Sequence, residues 1–271
     1  PCMVAAGASA VHALGERQWG LELAWAGLRF AERTAEADGP ARQIYHLYCS
    51  WLTGPLSETL DGLRVAIDRC RLQGANRVAE QAARALCDLL PLSGARLVDV
   101  ERELEPLQTW LTPGGAAMAA LNAARCFIQR MRAGEGAFDD AARILSGCAL
   151  ILEGAAETAG DVLQGGCWPR GEFATVLGPA LNALAGAVDG ELDPAALDKA
   201  RRAARHAPES LACLARLIEA ERQAEPGGQY ELVARIASDQ GALHWEALAC
   251  ERAGLWHLKA GRRRSARVWL E

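Results

Sequence analysis

The sequence predicts an all-α protein, an α-solenoid of antiparallel helical hairpins, and three observations carry that prediction. Ala and Leu dominate the 271 residues, while Tyr and Phe number only 3 and 4. Unbranched side chains lose little rotamer freedom in a helix, so this composition favours helix over strand. Apolar residues recur at three- and four-residue steps through most of the chain. Gly and Pro fall in short breaks between those runs, where helices stop and restart. About half of the residues are apolar and 23% are charged, enough to bury a sizeable core.

In chain order, Leu21, Ala24, Trp25, Leu28 and Ala31 give the first clear helical stripe. Leu60, Leu63, Ile67 and Cys70 repeat it, with Gly74 where a C-terminal cap is expected. In "LVDVERELEPLQTWL", Leu97, Val100, Leu104, Leu107 and Leu111 form one stripe and the acidic residues take other faces. Pro106 should kink or restart that helix, since it removes a donor and crowds the preceding turn. Asp193-Pro194 marks a helix start, an N-cap residue followed by proline at the first helical position. Between Gly134 and Gly171 the pattern loosens, and "GAAETAGDVLQGGCWPRGEF" reads as a long connection. The organisation expected is therefore N-terminal helical repeats over 1–132, degenerate helices and a long connection over 133–192, and C-terminal hairpin repeats over 193–271.

Internal spacing decides between a bundle and a stack of hairpins. Gly254, His257, Gly261, Ala266 and Leu270 follow at steps of three, four, five and four, the spacing of a tetratricopeptide hairpin. Stepping back 34 residues aligns Ala220 with Gly254, Gly227 with Gly261, Leu214 with Leu248 and Ala215 with Ala249. The N-terminal half is looser, with turn-like Gly54 and Gly94 forty residues apart. This register predicts two antiparallel helices over 242–260 and 263–271, with Gly254 and Ala266 opposed at a close crossing. It also places Leu270-Glu271 inside the second helix of a repeat, so the chain reads as a piece excised from a longer protein.

The stretch "WLTGPLSETLDGLRVAIDRCRLQGANRVAEQAARALCDLLPLSGARLVDVERELEPLQTWL" resembles the helical-repeat region of large bacterial multidomain signalling ATPases. These combine serine/threonine-kinase-like, AAA-type ATPase and sensor histidine kinase modules. "HAPESLACLARLIEAERQAEPGGQYELVARIASDQGALHWEALACERAGLWHLKAGRRRSARVWLE" is similar to the end of the same region. The likeness covers roughly residues 16–132 and 200–271, and the Gly/Ala-rich middle departs from it. It implies a scaffold or sensory region between a nucleotide-binding module and an output module.

Composition and motifs exclude several other functions. A net charge of −5 gives no surface for a phosphate backbone, so no nucleic-acid partner is expected. No apolar run approaches the ~20 residues that cross a bilayer, and no charged leader precedes the first helix. Cys2, Cys49, Cys70, Cys87, Cys126, Cys148, Cys167, Cys213 and Cys250 are odd in number and form no C-x-x-C pair. They read as reduced structural thiols of a cytoplasmic protein. The histidines His12, His46, His206, His244 and His257 make no H-x-x-x-H pair, so no metal or other cofactor is expected. His257, at the bulky position of the repeat, reads as a packed core residue. Without a G-x-x-x-x-G-K-[ST] loop the chain is expected neither to bind nor to hydrolyse ATP, and no catalytic residue is assigned.

Two stretches remain as binding candidates. In "YHLYCSW", Tyr45, Tyr48 and Trp51 are three apart and, with Trp25 on the preceding helix, either pack in the interior or line a groove. "GRRRSAR" is either a solvated helix face, a basic docking patch, or a phosphorylation site at Ser265. The expected partner is a protein, a peptide or a neighbouring domain of the parent chain. A small effector of an ATPase-type transcriptional regulator is the alternative, and a stand-alone enzyme the third.

Overall fold

The structure is a computed structural model, and it describes residues 1–34, 37–133, 143–164, 173–190, 194–206, 208–223 and 226–270. Among the described residues it is all-α, with no strand. The helices are α1 (Cys2–Ala13), α2 (Arg17–Thr34), α3 (Asp38–Tyr48), α4 (Leu56–Leu72), α5 (Asn76–Leu89), α6 (Leu97–Leu104), α7 (Ala116–Ala133) and α8 (Arg143–Leu152). They continue with α9 (Ala156–Gln164), α10 (Ala174–Asp189), α11 (Pro194–His206), α12 (Pro208–Glu221), α13 (Gly227–Asp239), α14 (Leu243–Lys259) and α15 (Arg263–Leu270). Helix–helix contact runs between sequence neighbours and next-but-one neighbours, from α1–α2–α3 through α8–α9–α10 to α12–α13–α14.

The stripes seen in the sequence are the packing faces. Leu60, Leu63, Ile67 and Cys70 of α4 are all buried, as are Val100, Leu104, Leu107 and Leu111. Burying side chains such as Leu63, Leu121 and Phe127 contributes about 1.5–3 kcal/mol each. One hydrophobic cluster runs from Leu47 to Ala253, while Val4, Ala8, Ala24, Leu28 and Ala31 of the first hairpin join α3 in a second. The first hairpin is unusually close because its interface is built of small residues. A Cβ at Gly7 would lie 2.5 Å from Gly20 O and Ala24 N, so only glycine admits this approach. An ion-pair chain staples this hairpin onward: Arg42 donates to Glu32 and to Asp38, each at 2.7 Å.

Helix boundaries follow local chemistry. Gly74 adopts φ +73° just after α4, the left-handed conformation of a C-terminal cap. Pro106 ends α6: the helix stops at Leu104 and a 3₁₀ turn takes over from Glu105 to Thr109. Helix α11 begins at Pro194, whereas Asp193 lies outside the described residues.

One expectation needs correction and another gains detail. The segment read as a long connection contains α9, whose buried Ala156, Ala159 and Leu163 pack on its neighbours α8 and α10. Its Ala and Gly content hid a short amphipathic helix, while 165–172 lie outside the described residues. At the C-terminus, α14 and α15 form the expected hairpin, and the side chain nearest Gly254 is that of Leu270. A Cβ at Gly254 would lie 2.5 Å from Leu270 Cγ. Ala266, buried on the same short helix, sits one turn nearer the connection. Leu270 is half exposed and free to shift. Gly254→Ala is therefore expected to change stability by less than ~0.5 kcal/mol, helix propensity offsetting lost packing, whereas Gly254→Leu costs about 1–2 kcal/mol. Urea unfolding of the two variants checks this; an equal loss in both would show that Leu270 cannot yield.

Candidate cleft where distant helices meet

The chain is not packed only through neighbours. The 3₁₀ turn Ser50–Leu52 lies against α12, and Trp51 meets Phe173 at 5.5 Å between ring centres. A second junction joins the turn after α5 to the turn between α13 and α14. Both turns are closed by left-handed glycines, Gly94 at φ +85° and Gly241 at φ +68°. A Cβ at Gly94 would lie 2.3 Å from Ala242 Cα and 2.5 Å from Gly241 O, so the two backbones touch.

A cleft of about 370 Å³ opens beside this junction. Its walls come from the first turns of α4, α6 and α14, with Leu60, Leu90, Leu92, Val100, Cys213 and Trp245 as an apolar floor. On the rim, Arg64 clamps α4 to α6: Nε and Nη2 donate to Glu103 at 2.6 and 2.8 Å, and Nη1 donates to Asp61 at 2.5 Å. Asp99 accepts from Arg102 at 3.2 Å, so the charges of the rim are largely paired within the protein. Ser93 donates its hydroxyl to Leu90 O at 2.7 Å.

Burial pushes the Cys213 thiol up to about 11, far from the thiolate needed for attack, and the described lining residues include no histidine. Among the described residues no group of three His, Cys, Asp or Glu side chains is placed to hold a metal ion.

The aromatic candidates lie elsewhere. Tyr45 and Trp51 are buried, Tyr48 is half-buried, and Trp25 is half exposed. Trp51 is on the turn that follows α3 and not on the helix itself; its indole donates to Leu47 O at 3.1 Å. His12 stacks on that indole at 6.0 Å and approaches Tyr48 O at 2.6 Å, fastening α1 to the end of α3. Trp25 is the exception in its stripe: its ring leans on Tyr45 at 5.7 Å with Arg29 above it. The structure thus places the four aromatics around α3, Trp25 against Tyr45 and Trp51 against His12. His257 is buried, with Nε2 3.1 Å from Glu231 Oε1.

Of the cleft itself, sequence reading found only Gly94 as a turn. The other walls come together through a contact nearly 150 residues long in sequence, for which helical period holds no signal.

The eight described cysteines are free. Burial pushes Cys49 and Cys148 up to about 12, Cys70 up to about 11, and Cys87 up as well. Cys49, Cys70, Cys87, Cys148 and Cys213 are therefore expected to stay silent to a thiol-specific chromogenic disulfide until the protein unfolds, whereas exposed Cys2 reacts at once. Fast labelling of those five in the native protein, located by peptide mapping, would contradict their placement.

The chain matches no protein-family model, no curated protein and no solved structure.

Proposed function

We propose that this chain is a non-catalytic α-solenoid of tetratricopeptide-like hairpins. In this reading it is a scaffold or sensory region of a cytoplasmic multidomain bacterial signal-transduction protein that binds a protein, a peptide or a neighbouring domain. The observation that supports the reading is the serial packing of helices along the described chain, most on the next helix in sequence and alternate ones also on the next but one. Two further facts support it. The pairs α12–α13 and α14–α15 start at Pro208 and Leu243, then at Gly227 and Arg263, steps of 35 and 36 residues. The strings "DVERELEPL" and "EALACERAGLWHLKAG" carry the likeness to the repeat region of signalling ATPases.

The cleft favours a second reading, a small-effector site of an ATPase-type regulator, because its volume falls in the range of small-molecule pockets. A photo-crosslinking residue placed at Ser57, on the cleft rim, tests both. Transfer to a protein in the native cells supports the scaffold, and transfer to a small molecule supports the effector site. Absence of either, with ATP binding at micromolar affinity by calorimetry, would overturn the non-catalytic reading.

A further inference from the structure

Arginines over most of this molecule face carboxylates: Arg42 with Asp38 and Glu32, Arg64 with Glu103, Arg130 with Glu153 and Arg132 with Glu101. The last hairpin breaks this pattern. Residues 252–270 carry six Arg or Lys and no Asp or Glu, in a chain whose net charge is −5. Arg252 turns inward to Glu221 at 3.3 Å, and Arg262 lies 4.8 Å over the Trp256 ring. Arg263 and Arg264 are exposed and have no ion-pair partner among the described residues.

The same hairpin carries exposed leucines. Leu270 rests on α14 at Gly254, next to Leu255, and Leu258 follows one turn later; all three leucines are exposed. Leu255 and Leu258 stay 40% and 45% exposed although α12, α13 and α15 all pack on α14.

We propose that this surface of the α14–α15 hairpin docks an acidic amphipathic helix of a partner protein. This rests on the scaffold reading above and names its partner. Charge complementarity selects an acidic occupant, and the leucine seam selects one with an apolar stripe. Nucleic acid would neutralise the arginines and leave the leucines wet. Glu251, exposed one turn before Leu255 on the same stripe, sets the limit of the seam, so the acidic residues of the occupant face the α15 arginines and not the start of α14.

The test uses the full chain and a fluorescent Leu/Glu peptide of about 18 residues, long enough for five helical turns, with leucines at helical spacing. Its controls are a scrambled peptide of the same composition, vesicles of phosphatidylcholine with phosphatidylglycerol, and duplex DNA. Binding by anisotropy is expected to favour the amphipathic peptide over the scramble by about tenfold. It should weaken about tenfold in R263E/R264E and severalfold in L255S/L258S. All these positions are exposed, and circular dichroism checks that the variants stay folded. Equal binding of the scramble, tighter binding of vesicles or DNA, or indifference to both double variants would overturn the proposal. Crosslinking at Ser57 is unaffected by such an outcome, so the docking surface can fail while the scaffold reading stands.

Discussion

Gly94→Val is expected to cost about 2–5 kcal/mol, the largest loss of any single substitution proposed for this protein. Two independent penalties meet at this residue. A β-branched side chain at φ +85° pays roughly 1–2 kcal/mol for the left-handed conformation. Its Cβ would also press on Ala242 Cα and Gly241 O, which are backbone atoms and cannot rotate aside. Overpacking of this kind typically adds about 1–3 kcal/mol. Gly74→Val separates the two effects, because Gly74 has nearly the same φ, +73°, yet open space where its Cβ would be. It should lose only the conformational part, about 1–2 kcal/mol. If urea denaturation gives equal losses for the two variants, the junction between the turns at 94 and 241 contributes nothing to stability. If Gly94→Val loses more and also expands the protein in small-angle scattering, that contact is what holds the turn after α5 against the turn between α13 and α14.

The helices were legible in the sequence because their stripes are local. Leu60, Leu63, Ile67 and Cys70 share a face by the geometry of 3.6 residues per turn, whatever the rest of the chain does. Pro106 and Gly74 act on their own backbone and could be read equally well. Helix α9 was missed because Ala and Gly provide little contrast between faces: a stripe of Ala156, Ala159 and Leu163 among Gly160, Asp161 and Ala155 looks like a linker. The part of Leu270 at Gly254 was missed for a different reason. Repeat spacing identifies which residues are small, but the register of the return helix depends on the turn at 260–262 and on Leu270, the larger side chain, which takes the space above the glycine. The cleft was least accessible of all. Its floor residues look like ordinary core leucines in their own helices, and only the closing contact at Gly94 and Ala242 turns them toward one another.

Acid should destabilise this protein through two enclosed imidazoles well before its carboxylates are protonated. His46 lies flat against Gly62, its Nδ1 has no hydrogen-bond partner among the described residues, and His244 has the same lack at Nε2. Burial, reinforced by the nearby Arg42 guanidinium, pulls His46 down to about 4, and burial alone brings His244 down to about 4. The unfolded chain, with ordinary imidazoles near 6.5, binds more protons than the folded one between those values. Stability is thus complete above roughly pH 6.5 and falls as the pH drops toward about 4, below which both states are protonated and the loss levels off. A cost on the order of 1–3 kcal/mol per histidine is expected across that window. Glu221 acts in the opposite sense: burial raises its pKa against the pull of Arg252, so protonation at low pH favours the folded state. The signs therefore distinguish the groups. H46Q/H244Q, which cannot gain a proton at either site, should flatten the profile of unfolding free energy between about pH 6.5 and 4 by several kcal/mol in total. Wild-type and variant profiles that run parallel over this range would mean that both imidazoles already reach water in the folded protein.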